Sequence, residues 1–490
     1  MRFLSLAYQP KEIIASLLFL CFSVIAIVSQ QWQWMMVPFA WLILPAIFLF
    51  ATTKTAQLFW LLLCMLPLST ELNITPQLGL DFPDEILMVL LTGTAMLYWW
   101  HQPQHFPLLV WRHPLFFWLM LHLCWIAVTT FYAVETVPAL KFLLAKTWYI
   151  VPFVILPAVW GNSISNIQKI AACLLWPMGF VVLFTLLRHG TEQFSFESIN
   201  RHLFPFFRNH VNYASMLVCL LAVLFCAYQL APRQTAYRKW LFAALTAGFC
   251  ALILAYSRGA WLSLLAGICV VFVVKKKQMG TMIVLAIVAI LLSVTWLVTD
   301  KQYFRFAPDH DRTIFHTNFT QHLSATVELK DVSNAERFYR WVAGFRMLAD
   351  KPITGFGPTS FYLHYRPYTV QRFETWVSNN PEHSTVHNYF LLTALEQGII
   401  GLIIFCVLYF AMLMRLQKIY HQLHSFFYRA VTMTVAVILT MIGVTNFISD
   451  MIETDKIGSL FWLCLGMLIV LDGKLTEEKE SIVAKHAVAV

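Results

Sequence analysis

The chain has 490 residues, of which 59% are hydrophobic and only 12% charged, with a formal net charge of +9. Soluble domains carry roughly 25% charged residues, whereas here one apolar run after another reaches the roughly 17–25 residues that span a bilayer. The composition excludes a soluble domain, and the positive charge bears on membrane orientation and anion binding, with nothing to suggest nucleic acid.

In chain order, about fourteen apolar stretches read as spans: residues 13–30, 34–51, 55–70, 84–100, 114–132, 141–160, 167–187, 209–230, 238–255, 259–274, 279–298, 388–414, 427–449 and 456–472. The expected fold is an all-α polytopic membrane protein of about 12–14 transmembrane helices. The first run follows Lys11 and Glu12 and has no small-residue cleavage site, so it reads as a retained span. Lys and Arg in the short loops set the orientation. With the N-terminus inside, the cytoplasmic loops carry Arg2, Lys11, Lys54, Arg112, Lys169, Arg233, Arg238, Lys239, Lys275, Lys276, Lys277, Arg415, Lys418 and Arg429. The outer loops near 71–84 and 449–455 are acidic, with Glu71, Asp81, Asp84, Asp450, Glu453 and Asp455. This divides the chain into transmembrane helices over 1–298, an outer loop over 299–386, three C-terminal spans over 387–472 and a frayed cytoplasmic tail over 473–490. All ten cysteines fall in apolar runs and none in the outer loop, which argues against a disulfide framework.

The outer loop holds an amphipathic helix near 333–350. Ser333 and Asn334 are N-cap candidates, Glu336 lies in the first turn, and Phe338, Trp341, Val342, Phe345 and Leu348 recur at helical spacing. "KPITGFGPTSF", 351–361, then breaks the chain with Pro and Gly. Three arginines stand where the charge rule disfavours them: Arg258 in the short turn "AYSRGAW", and Arg201 and Arg208 just ahead of a span. A cation at an outer helix end can be a snorkelling anchor. It can also form an anion pocket, since guanidinium gives planar, bidentate bonds to phosphate oxygens.

"HSTVHNYFLLTALEQGIIG", 383–401, runs from polar into apolar residues without a break. His387 at its junction can be a polar end residue or a proton acceptor near neutral pH. Asn388 can orient it or cap the helix. Glu396 is out of phase with His387 on a helix and is expected to pair with another span or a polar cavity. Gly398 and Gly401 would let a neighbouring helix approach closely. The triplet Asp309-His310-Asp311 resembles a nucleotide-sugar metal motif but lies on the outer side, where nucleotide sugars are absent. His383 and His387 have a zinc-compatible spacing with no third ligand. No metal and no cofactor are expected.

At these residues the chain resembles the O-antigen ligase and polymerase superfamily. The resemblance rests on "TVHNYFLLTALEQGIIG", the Ser257-Arg258-Gly259 turn, and Arg208 ahead of the Asn212-bearing span. It also rests on Arg337 and Arg340 ahead of Pro352-Ile353-Thr354-Gly355-Phe356-Gly357. It covers about 200–470 and leaves the first 190 residues similar only in being apolar spans. Members usually have about twelve spans. The resemblance implies transfer of a glycan from undecaprenyl pyrophosphate to an acceptor hydroxyl, at the outer, periplasmic face of the bacterial inner membrane, with inversion and without metal. The acceptor is lipid A-core sugar in ligases, another repeat unit in polysaccharide polymerases and a Ser or Thr in protein O-oligosaccharyltransferases. His387 is expected to be the general base, and Arg258, Arg208 and Arg201 to bind pyrophosphate. Asn388, Glu396, Arg337 and Arg340 are expected to support them. A flippase or transporter of lipid-linked sugar would instead place its charges near the bilayer midplane, and a non-catalytic export partner would leave the set of His387, Arg258 and Arg208 without a purpose.

Overall fold

The computed structural model describes residues 52–75, 78–299, 302, 332–370 and 384–488. The expected spans at 13–30 and 34–51, Cys21, the triplet at 309–311 and His383 lie outside the described residues. The other twelve expected spans all fall on helices. These are α1 (Thr55–Met65), α2 (Asp84–His101), α3 (Pro114–Thr130), α4 (Thr136–Trp160), α5 (Ile164–Gly190), α6 (His210–Leu230), α7 (Ala236–Leu254), α8 (Arg258–Lys275) and α9 (Met279–Val298). After α10 (Val332–Asp350), in the loop expected to lie outside, come α11 (Tyr389–Gln422), α12 (Phe426–Phe447) and α13 (Asp455–Val488). Nine of them, among the described residues, are long and apolar enough to cross a membrane. The chain is an all-α polytopic membrane protein.

Three local expectations change. The acidic stretch after α1 is a two-stranded antiparallel hairpin, β1 (Thr70–Thr75) and β2 (Leu78–Phe82), pairing Glu71 with Asp81 and Leu72 with Leu80. Its alternation is too short to compete with the surrounding helical signals. The C-terminal tail is helical, because α13 continues past the apolar run. There Glu478 accepts the backbone N–H groups of His424 and Ser425 at 2.9 and 3.3 Å. On α10 Glu336, Tyr339, Arg340, Ala343, Gly344 and Met347 are buried, and Phe338, Trp341, Val342 and Leu348 of the expected stripe are half-buried and pack against the same core. Phe345 alone of that stripe is exposed, and the tightest face carries small residues and an ion pair.

By contacts the chain divides into one unit of Met1–Phe59 with Val89–Phe106 and another of Trp60–Met88 with Pro107–Val490. In the first, Trp99 meets Phe106 edge-on at 5.6 Å. The second holds the bundle and the outer loop. At one end of this bundle Asp472 of α13 takes the Arg415 guanidinium of α11 at 2.5 and 2.7 Å and His113 Nε2 at 3.1 Å. His113 Nδ1 accepts the Leu115 N–H, so Nε2 is the nitrogen that donates. At the other end Lys146 bonds both carboxylate oxygens of Glu453 at 3.0 and 2.9 Å, and Tyr149 donates to Asp455. Charges at both ends of the bundle are paired, as a low-dielectric setting demands.

The feature that positions the outer loop is a break in α11. Gly398 has φ of +72° and ψ of 178°, a conformation open essentially to glycine alone. The break does not admit a neighbouring helix. It admits the turn 352–357, whose Phe356 and Gly357 N–H groups bond the carbonyls of Leu395 and Glu396 at 2.8 and 3.0 Å. The Ile399 N–H bonds Pro352 O at 2.8 Å, and Trp125 Nε1 of α3 takes the Gln397 carbonyl at 2.7 Å. A Cβ at Gly398 would lie 1.8 Å from Ile353 O. Gly398→Ala should therefore cost at least about 1–3 kcal/mol from backbone strain, plus the clash. The measurable outcome is loss of folded protein, or a clearly lower melting temperature. Gly179→Ala, where an added Cβ meets nothing within 4 Å, should melt normally.

Candidate active site

Three segments meet around His387. The first is the approach to α11. Val386 is buried and its carbonyl accepts Trp341 Nε1 at 3.0 Å. Asn388 caps α11, its Oδ1 accepting the Leu391 N–H at 2.9 Å, and the Tyr389 N–H bonds Ser449 O at 3.0 Å. His387, pinned between these, has φ of +52°. That region is uncommon for a residue with a Cβ, so the surroundings impose it.

The second segment is the loop between α12 and α13. Asp450 Oδ2 accepts the Thr385 hydroxyl at 2.6 Å, and its Oδ1 lies 3.8 Å from His387 Nδ1. The Thr385 hydroxyl oxygen lies 3.3 Å from the His387 N–H. Burial pushes the Asp450 carboxyl up, but His387 and the Thr385 hydroxyl together hold it below the usual carboxylate range. Asp450 therefore faces the imidazole as an anion.

The third is α10. Arg340 Nη1 reaches His387 Nε2 at 2.8 Å and Thr385 O at 3.1 Å, while its Nη2 lies 3.3 Å from Glu336 Oε2. A guanidinium only donates. Nε2 is therefore the accepting nitrogen, and Nδ1 carries the proton toward Asp450. In the order Asp450, His387, Arg340, Glu336 the neutral imidazole stands between an anion and a cation, its side chain 35% exposed. Around it Tyr339, Ala343, Met347, Phe356, Phe361, Tyr365, Val386, Leu391, Leu392 and Leu395 form one core that seats α10 on the first turns of α11.

The other residues singled out by sequence are placed less centrally. Arg258 is the first residue of α8. It is half-buried, and a Cβ added at its neighbour Gly259 would stand 2.6 Å from Ile448, two residues from Asp450. Arg208 is largely exposed with its Nη1 4.0 Å from Glu71, and Arg201 is exposed and bonds Glu192 at 3.0 Å; neither bonds His387. Arg337 is half-buried on α10. Glu396 is buried and its carboxylate takes the backbone N–H groups of Thr359 and Phe361. Asp450 was not singled out, because nothing in its neighbours separates it from the other acidic residues of that loop. Among the described residues no cluster of His, Cys, Asp or Glu could hold a metal ion.

Residues 242–406 match the family model described as O-antigen ligase. Over this segment the chain is similar to the O-antigen ligase superfamily. No curated protein matches the chain. The matched segment holds Arg258, Arg337, Arg340, the 352–357 turn, His387, Asn388 and Glu396, whereas Arg201, Arg208 and Asp450 lie outside it. The similarity is to a ligase family, and the chain carrying it is a multi-pass membrane protein.

In this site Glu336 and Arg340 are both buried. Removing one partner of a buried pair strands the other charge, at about 3–5 kcal/mol, whereas an apolar replacement of both is often neutral. Arg340→Ala should therefore loosen α10, seen as faster proteolysis of the outer loop and a lower melting temperature. The pair Glu336→Leu with Arg340→Met should recover most of the loss.

Proposed function

We propose that the chain transfers a glycan from undecaprenyl pyrophosphate to an acceptor hydroxyl on the outer face of the bacterial inner membrane, with inversion at the anomeric carbon. The reading is supported by the family match and carried by one observation. His387 presents an accepting Nε2 at a partly exposed position, with an anion behind its protonated Nδ1. That is the arrangement of an oriented general base.

Pyrophosphate is already a good leaving group, so positioning and charge stabilisation are the main requirements. Arg258 and Arg208 bind the pyrophosphate, with Arg201 beside them. The acceptor hydroxyl gives its proton to His387 Nε2 as its oxygen bonds the anomeric carbon. The bond from that carbon to the pyrophosphate oxygen breaks, and the lipid pyrophosphate leaves with the electron pair. Nε2 is held by Arg340 in this structure, so the acceptor must replace that guanidinium. Pyrophosphate is the anion that would draw Arg340 away. Glu396, bonded to the backbone of the 352–361 segment, supports the loop and does no chemistry.

His387→Gln should keep donor binding yet lose transfer by roughly 10²–10⁴-fold, the usual share of acid–base catalysis. Arg258→Lys should be badly impaired, because an ammonium cannot reproduce the bidentate fork. Donor binding and glycan transfer are measured side by side on reconstituted protein, using an undecaprenyl-pyrophosphate oligosaccharide. Normal transfer by His387→Gln would reduce the histidine to a positioning role.

The orientation is tested separately. Thr369→Cys should react with an impermeant thiol reagent on intact spheroplasts. Labelling only after lysis would put the outer loop in the cytoplasm and end the proposed reaction.

A further inference from the structure

A cavity of about 1200 Å³ lies far from His387, between α5, α6, α7, α12 and α13. Its walls are apolar for most of their extent, including Leu174, Met178, Leu217, Leu221, Leu241 and Ile438. Polar and interfacial residues gather at one end: Ser165, Gln168, Lys169, Tyr237 and Trp240. This is the end of the bundle opposite the Asp450 loop, since Ser165 and Tyr237 begin their helices while α6 ends there at Leu230.

The depth of the cavity is informative. Its lining runs from Tyr237 to Gly248 on α7, from Leu230 back to Leu217 on α6, from Phe427 to Ile438 on α12 and from Ser165 to Leu186 on α5. At 1.5 Å per residue the first three stretches are about 16–20 Å long and the α5 stretch about 32 Å. Against a hydrocarbon core of about 30 Å, the cavity is deep enough for acyl chains that enter at the Lys169 end. At the far end Tyr256 closes the gap between α7 and α5 by bonding the carbonyl of Phe194 at 2.7 Å, and its ring lies 6.5 Å from His189. A chain entering from the His387 side meets that closure, while a lipid of the opposite leaflet does not.

The mouth also has a sign. Lys169 Nζ is held 4.3 Å from the Trp60 ring centroid. Arg238 Nη1 bonds the carbonyl of Ala231, itself a lining residue, at 3.0 Å, and its guanidinium lies over Tyr228 at 4.4 Å. Two ordered cations beside exposed Tyr237 and Trp240 make the environment of a lipid headgroup at a membrane interface.

We propose that this cavity is a binding site for an anionic phospholipid of the leaflet on the Lys169 side. Its acyl chains fill the space between α5, α6 and α7, and its phosphate lies at Lys169 and Arg238. The site is independent of the transfer reaction and of the donor.

The test is native mass spectrometry of the full chain, released from vesicles of equal parts phosphatidylglycerol and phosphatidylcholine. The unmodified protein should retain phosphatidylglycerol in preference to phosphatidylcholine. Lys169→Gln should reduce that preference about five-fold, the weight of one surface cation, while still retaining lipid. Gly179→Trp fills the cavity from a position where an added Cβ meets nothing within 4 Å, so it should fold normally and lose bound lipid of both kinds. Retention unchanged by Gly179→Trp would overturn the site. Retention lost in Gly179→Trp, but without headgroup preference in the unmodified protein, would overturn the assignment to an anionic lipid.

Discussion

The face of this protein that carries His387 depends on how one interrupted helix satisfies its backbone. Where Gly398 turns out of helical geometry, the carbonyls of Leu395, Glu396 and Gln397 and the N–H of Ile399 lose their helical partners. Each such group left unpaired in hydrocarbon would cost several kcal/mol. All four are bonded, three by the turn 352–357 and one by Trp125. The loop is therefore part of the helix's own hydrogen bonding, and α11 and the loop can form only together. Length points the same way. The part of α11 after the break, Ile399–Gln422, is about 36 Å long and already covers a core of about 30 Å. The turns carrying His387, Asn388 and Glu396 therefore stand at the membrane boundary. A carboxylate there is held by loop N–H groups and is not stranded in lipid.

The same docking brings charge to the histidine. Because the turn 352–357 fixes the end of α10 against α11, Arg340 is delivered to His387 across a sequence gap that no local pattern bridges. Glu336 holds the other side of the guanidinium. A buried ion pair of this kind adds little net stability; what it provides is direction, since the fork can point at Nε2 only from the Glu336 side. Asp450 comes from the opposite flank through a loop tied to α11 by the bond from Tyr389 N–H to Ser449 O. Three otherwise separate elements thus converge on one imidazole.

Much of this was legible from the chain. Apolar runs of spanning length lie on twelve helices because the bilayer demands that length, and the amphipathic period of 333–350 returned as α10. His387 was visible as a polar residue at the start of an apolar run, the 351–361 turn as a Pro and Gly break, and Arg340 through the resemblance to the family. Three things were not visible. Gly398 looked like a helix-packing glycine because its positive φ has no signature beyond being glycine. On α10 Phe345 was wrongly counted with the packed stripe and Ala343 missed, because hydrophobicity ranks Phe345 above Ala343, whereas close packing prefers the small residue. Asp450 was hidden because its partner lies more than sixty positions away, and contact between loops of different spans leaves no periodic trace.

The charges around His387 also bear on when it can act in the proposed reaction. With Arg340 on Nε2 the accepting lone pair is engaged, and Asp450 stands behind Nδ1 at 3.8 Å. In the proposed reaction an anion on the donor takes the guanidinium, and Nε2 is free in the same event. Without donor, its lone pair remains occupied and water gains no activated partner.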